Sequence, residues 1–167
     1  IVLASIPVSE DQIAISLDDD FRGVSMAEKK ALVEGLNQIM LNQDKVVDTN
    51  CVYRDAFSRV TFASSEGTLI QEERPMVTLY TIAVARDGDN VQTANESRSG
   101  QHGFGFVQDQ EGMAEAAAKR AVDLLSAESV FGGQYPVVLN QRLAGVFIHE
   151  AFGHLSDEPA SRFGDRD

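Results

Sequence analysis

One cysteine stands in 167 residues, so no intrachain disulfide can form and nothing calls for an oxidising compartment. Cationic side chains are scarce as well: 14 Lys and Arg face 26 Asp and Glu, a formal net charge of −12. Such a chain repels phosphate backbones and anionic lipid, which argues against nucleic-acid and membrane partners. No apolar run reaches the roughly 18 residues needed to span a bilayer. The apolar opening "IVLASIPV" lacks the basic leading segment of a secretory signal. Internal repeats and low-complexity tracts are missing too, and the expected compartment is the cytoplasm. What is present, 43% hydrophobic and 24% charged residues, is ordinary globular composition at a length that suits one domain. The chain opens without a methionine, and the residues after His154 carry no helix or strand pattern. Residues 1–167 are therefore expected to be one partial domain, cut at both ends.

Ser25 and Glu28 form an S-x-x-E capping box. Behind it Leu32, Leu36, Ile39 and Met40 fall on one stripe, predicting an amphipathic helix. The preceding Asp18, Asp19 and Asp20 have the chemistry of a cation site, but the simpler reading is a solvated turn. From Val46 to about Arg98 the period changes to two, and β-branched and aromatic residues become common. "VYRDAFSRVTFA" runs into the turn "SSEGT", "MVTLYTIAVA" into "RDGDN", and "VQTANES" follows. Asp87-Gly88 between alternating segments is a hairpin signal, because glycine takes the positive φ of a tight turn. These features predict an antiparallel meander of about four strands, with Pro75 at a strand start or on an edge.

Glycines 100, 103 and 105 mark a loop whose backbone passes close to something, without the context of a phosphate-binding fingerprint. His102 within it reads as an exposed loop histidine, and Cys51 as a core residue of a strand. Residues 111–128 predict a second helix that packs through Ala117, Ala121, Leu124 and Leu125, and "GGQYPVVL" a turn and a short buried strand. The fold class expected is α+β. An antiparallel β-meander flanked by two amphipathic helices fills residues 1–135, and residues 136–167 begin a catalytic region on a buried helix.

That last helix carries the chemistry. Asn140 is a plausible N-cap, and from Leu143 to Phe152 the only polar side chains are His149 and Glu150, with His154 two residues on. An all-round apolar helix is a buried one. Burying two imidazoles and a carboxylate costs several kcal/mol unless each finds a partner, so a shared metal ion accounts for the cluster better than separate hydrogen bonds. The spacing raises a difficulty: at about 100° per residue, positions five apart diverge by about 140° on a regular helix. Gly153 offers two solutions, a widened i→i+5 turn or a helix end in the left-handed conformation. Either lets His149 and His154 supply two ligands of a tetrahedral Zn2+ site with an open position, and lets Glu150 act as the catalytic general base. Asp157 and Glu158 are weak candidates to fix the imidazoles from outside. No third protein ligand is evident within the chain.

The segment "YPVVLNQRLAGVFIHEAFGHLSDE" resembles the active-site stretch of the TldD/PmbA metallopeptidase family, whose signature is H-E-x-x-x-H. The likeness extends through "DFRGVSMAEKKALVEGLNQIM", "FASSEGTLIQEERPMVTLYTIAVARDGDNVQTANES" and "AAKRAVDLLSAE". It implies a cytosolic zinc-dependent peptidase of the TldD type that acts on unfolded or short peptides. His149 and His154 match the family's metal ligands and Glu150 its catalytic glutamate. The resemblance also implies a third ligand, a cysteine in a C-terminal half that this chain does not contain, so the 167 residues alone are expected to be inactive. It implies a homodimer, or a heterodimer with a PmbA/TldE-like subunit that lacks the histidines. The family's older name, modulator of DNA gyrase, would fit a DNA binder, which conflicts with the charge of −12. A competing reading is a non-enzymatic module that docks a partner subunit and binds no metal.

Overall fold

Alternation of buried and half-buried residues marks β3, Leu69–Asp87, as the strand on which the rest is assembled. Its odd-numbered residues Val77, Leu79, Thr81, Ala83 and Ala85 are fully buried, while the even-numbered ones between them are only half-covered. The structure is a computed structural model that describes residues 7–157. It consists of two units, Ile1–Glu128 and Ser129–Asp167.

In the first unit β3 pairs antiparallel with β2, Val46–Ala63, along almost its whole length, from Val46↔Ala85 to Ala63↔Leu69. Its other flank is shared. β4, Asn90–Gly100, covers residues 77–87 antiparallel, and β1, Glu10–Ile13, covers residues 69–72 in parallel. The expected antiparallel meander therefore holds for three strands, and the fourth corrects it to a mixed sheet. β1 precedes β3 by helix and strand, a connection long enough to return the chain in the same direction. Gly88, at φ +59, closes the β3–β4 turn with Asp87 opposite Asn90.

Pro75 lies inside β3 rather than at its start, opposite Phe57 and fully buried, at a stretch where one flank of the strand is a local edge. Residues 73–76 fall between the β1 and β4 ladders, so β3 has no ladder partner on that flank and the missing N–H interrupts none there.

α1, Met26–Leu41, starts at the predicted box, with the Ser25 hydroxyl accepting from the Glu28 N–H at 3.2 Å. Leu36 and Met40 are buried, and Leu32 and Ile39 pack beside them. A half-buried ion pair, Lys29 to Asp55 at 2.6 Å, ties α1 to β2. α2, Glu111–Leu124, ends earlier than predicted, because after Leu124 the backbone bonds tighten to i→i+3 and the Ser126 hydroxyl takes up the Asp123 carbonyl. Ala114, Ala117, Ala118 and Ala121 line its buried face, and small side chains let the helix approach the sheet closely. Both helices contribute to one core with Phe21, Val77, Leu79, Phe104 and Val107. Half-buried Cys51 packs against that core, and burial pushes its thiol up to about 11.

The glycine loop finds its neighbour in the acidic turn. A Cβ on Gly103 would stand 1.7 Å from the Asp18 carbonyl oxygen, and the Phe104 N–H donates to the Asp19 carbonyl at 2.7 Å. Asp18–Asp20 thus form a turn that seats the loop. Asp20 is gripped by Arg22, whose guanidinium holds its carboxyl below the usual range. His102 is exposed and stacks on Phe106 at 4.1 Å. No helix among the described residues is long and apolar enough to cross a membrane.

Candidate metal centre

The second unit begins with residues 129–139, which form no helix or strand. The buried strand expected in "GGQYPVVL" is corrected to exposed coil: Val137 is 70% exposed and Val138 98%. Among the described residues no strand pairs with it, and unpaired backbone stays in water. α3, Gln141–Ile148, then starts at the predicted cap, with Asn140 Oδ1 accepting from the Leu143 N–H at 2.9 Å. Apolar on nearly every side, α3 was expected to be buried; this too is corrected. Val146, Phe147 and Ile148 are each more than half exposed, because the described part of this unit contains no second layer to cover them.

From His149 to Gly153 the winding opens to a π-turn, and the chain continues as α4, His154–Asp157. The His154 N–H donates to the His149 carbonyl, an i→i+5 bond. Of the two conformations that Gly153 permits, the structure takes the wide turn, since positive φ at glycine occurs only at Gly67 and Gly88 among the described residues. One added residue per turn restores the alignment that regular winding would lose. The imidazoles of His149 and His154 come to 4.7 Å between centroids at 66°. His154 Nε2 lies 3.5 Å from Glu150 Oε2.

One donor atom from each of His149, Glu150 and His154 lies within 4.8 Å of the others, and no other such trio is found among the described residues. Two nitrogens on one tetrahedral zinc ion stand about 3.4 Å apart. The three donor atoms lie within 4.8 Å of one another on exposed side chains free to rotate toward that spacing, so the donor set, two imidazoles and a carboxylate, fits a divalent ion. Of the outer candidates, Asp157 closes α4 and Glu158 lies outside the described residues. Cys51 and His102 belong to the first unit and take no part in this trio.

A wide-turn pair of histidines with a carboxylate between them has the chemistry to hold a metal ion, and the comparisons give the family. Residues 19–125 match the PmbA/TldA metallopeptidase central domain. A Synechocystis protein named metalloprotease slr0863 is 37% identical over 152 residues, 90% of this chain and 33% of that protein. A Saccharolobus solfataricus zinc metalloprotease TldD homolog is 34% identical over 106 residues, 63% of this chain and 24% of its own length. In fold, the chain is similar to a Bacteroides thetaiotaomicron protein described as a modulator of DNA gyrase. The TM-score is 0.71 at 16% identity, covering 83% of this chain and 32% of that one. A Thermotoga maritima protein of the same description gives 0.62 at 17% identity, over 72% and 28%. The chain belongs to the PmbA/TldD metallopeptidase family. It spans about a third of the length of the relatives it matches.

Proposed function

We propose that this chain carries the His-Glu-x-x-x-His part of a zinc-dependent peptidase of the TldD type, which hydrolyses unfolded or short peptides. One observation supports the reading above all: the π-turn gathers donor atoms of His149, Glu150 and His154 within 4.8 Å, where regular winding would scatter them. His149 and His154 present neutral imidazole nitrogens as two ligands, and a third protein ligand is expected outside these residues. When bound, the ion supplies Lewis-acid activation of water at neutral pH. Glu150, with a carboxylate oxygen 3.5 Å from His154 Nε2, takes a proton from the attacking water and returns it to the leaving amine. The working protein is a cytoplasmic homodimer, or a heterodimer with a PmbA/TldE-like subunit.

The test uses the full-length protein on an unstructured peptide. Chelation abolishes turnover, and Glu150→Gln lowers it by about 10²–10⁴-fold, the range for removing a general base. Turnover that survives both treatments refutes the proposal. The 167 residues alone show little turnover.

A further inference from the structure

We infer that Gly153 is a positioning residue for His149, and that the site uses its missing side chain rather than its flexibility. The inference rests on the metal-site reading above. Gly153 does not have positive φ, so any residue can adopt its backbone, and alanine is the better helix former. Yet a Cβ at Gly153 would stand 3.2 Å from His149 Nδ1, 3.7 Å from its Cγ and 3.8 Å from its Cε1. The imidazole lies across the space a side chain would fill.

The position explains why. Residue 153 is four places after His149, the place a regular helix stacks over it and the one the second histidine occupies in H-E-x-x-H. Here the wide turn moves that histidine to the fifth place. A Cβ at the fourth place would crowd the His149 ring, which leans over it and meets the ring of His154 at 4.7 Å. A methyl group there displaces the ring by a few tenths of an ångström, which is the tolerance within which a metal-ligand set is held. Gly145, in α3, is the internal contrast: a Cβ there meets nothing within 4 Å.

The experiment measures Zn2+ affinity by competition with a chromophoric chelator, and the Co2+ d–d spectrum, in the full-length protein. Gly153→Ala and Gly153→Ser are expected to lower affinity tenfold or more and to change the Co2+ spectrum. Gly145→Ala leaves both unchanged. In a His149→Ala background, Gly153→Ala has no further effect, because no ring remains to be displaced. Circular dichroism follows folding throughout. Wild-type protein that binds Zn2+ while Gly153→Ala matches it within twofold, with the same Co2+ spectrum, overturns the inference and leaves the metal site standing. Equal losses from Gly153→Ala with and without His149 overturn it as well, as does a Gly153→Ala protein that fails to fold. Wild-type protein that binds no metal overturns the site reading and the inference together.

Discussion

Replacing Gly103 with alanine tests how tightly the glycine loop is seated on the acidic turn. The new Cβ would lie 1.7 Å from the Asp18 carbonyl oxygen and 2.8 Å from that of Asp19. Both are backbone atoms, so no side-chain rotation relieves the overlap, and the loop must lift. Lifting it breaks the 2.7 Å bond from the Phe104 N–H to the Asp19 carbonyl, a loss of about 1 kcal/mol. It also draws out Phe104, now 3% exposed and edge-on to Tyr53. Uncovering half of that ring costs about 1–1.5 kcal/mol. The sum, about 2–2.5 kcal/mol, corresponds to a fall in Tm of roughly 4–10 °C for a chain of this size. Urea and thermal unfolding followed by circular dichroism read it directly. Gly35→Ala, inside α1 with nothing within 4 Å of its Cβ, should stabilise by up to about 1 kcal/mol. A Gly103→Ala protein within about 0.5 kcal/mol of wild type would refute the close-approach reasoning.

Leu79, fully buried on the central strand, should lose about 2–5 kcal/mol on change to alanine; an unmoved urea midpoint would contradict the core assignment. The Cys51 thiol, pushed up to about 11 by burial, holds little thiolate near neutrality. A disulfide reagent at pH 8 should label it at least about tenfold more slowly in the native protein than in urea, and equal rates would count against its burial. The carboxyls of Asp20, Glu72 and Glu73 are held below their ordinary values of 3.8 and 4.5, chiefly by hydrogen bonds from Arg22, Arg74 and Arg59 respectively. Their contribution is present above those ordinary values and disappears as pH falls through the lowered ones. All three are exposed pairs, so the effect is small and screened by salt. Stability measured from pH 6 to 3 should fall less steeply in an Arg59→Ala, Arg74→Ala double variant, and an identical slope would exclude the pairs as the cause.

Local chemistry was the legible part of the chain. Ser25 and Asn140 announced their helices because a cap is one side chain reaching a backbone N–H two or three residues away. Gly88 announced its hairpin for the same reason of short range. Even the wide turn could be anticipated, since two histidines five apart admit few ways to meet. What stayed hidden depends on partners distant in sequence. Nothing in "EDQI" says that β1 will lie parallel to residues 69–72. The place of Pro75 follows from a gap between two other strands. Apolar character in "PVVL" and "AGVFI" was taken to mean burial, but hydrophobicity states only that a residue gains by being covered. Whether a covering layer is present is a property of the rest of the fold.

β3 has 19 residues, which at about 3.3 Å per residue gives a rod of roughly 60 Å. One end is clamped between two helices and two neighbouring strands, and the other is held by β2 and the four residues of β1. Rods of that length amplify angles: a tilt of about 5° where the strand is clamped carries its far tip through about 3 Å, given roughly 35 Å of overhang. The hairpin tip is consequently the most geometrically sensitive gauge of how the body of this unit is packed.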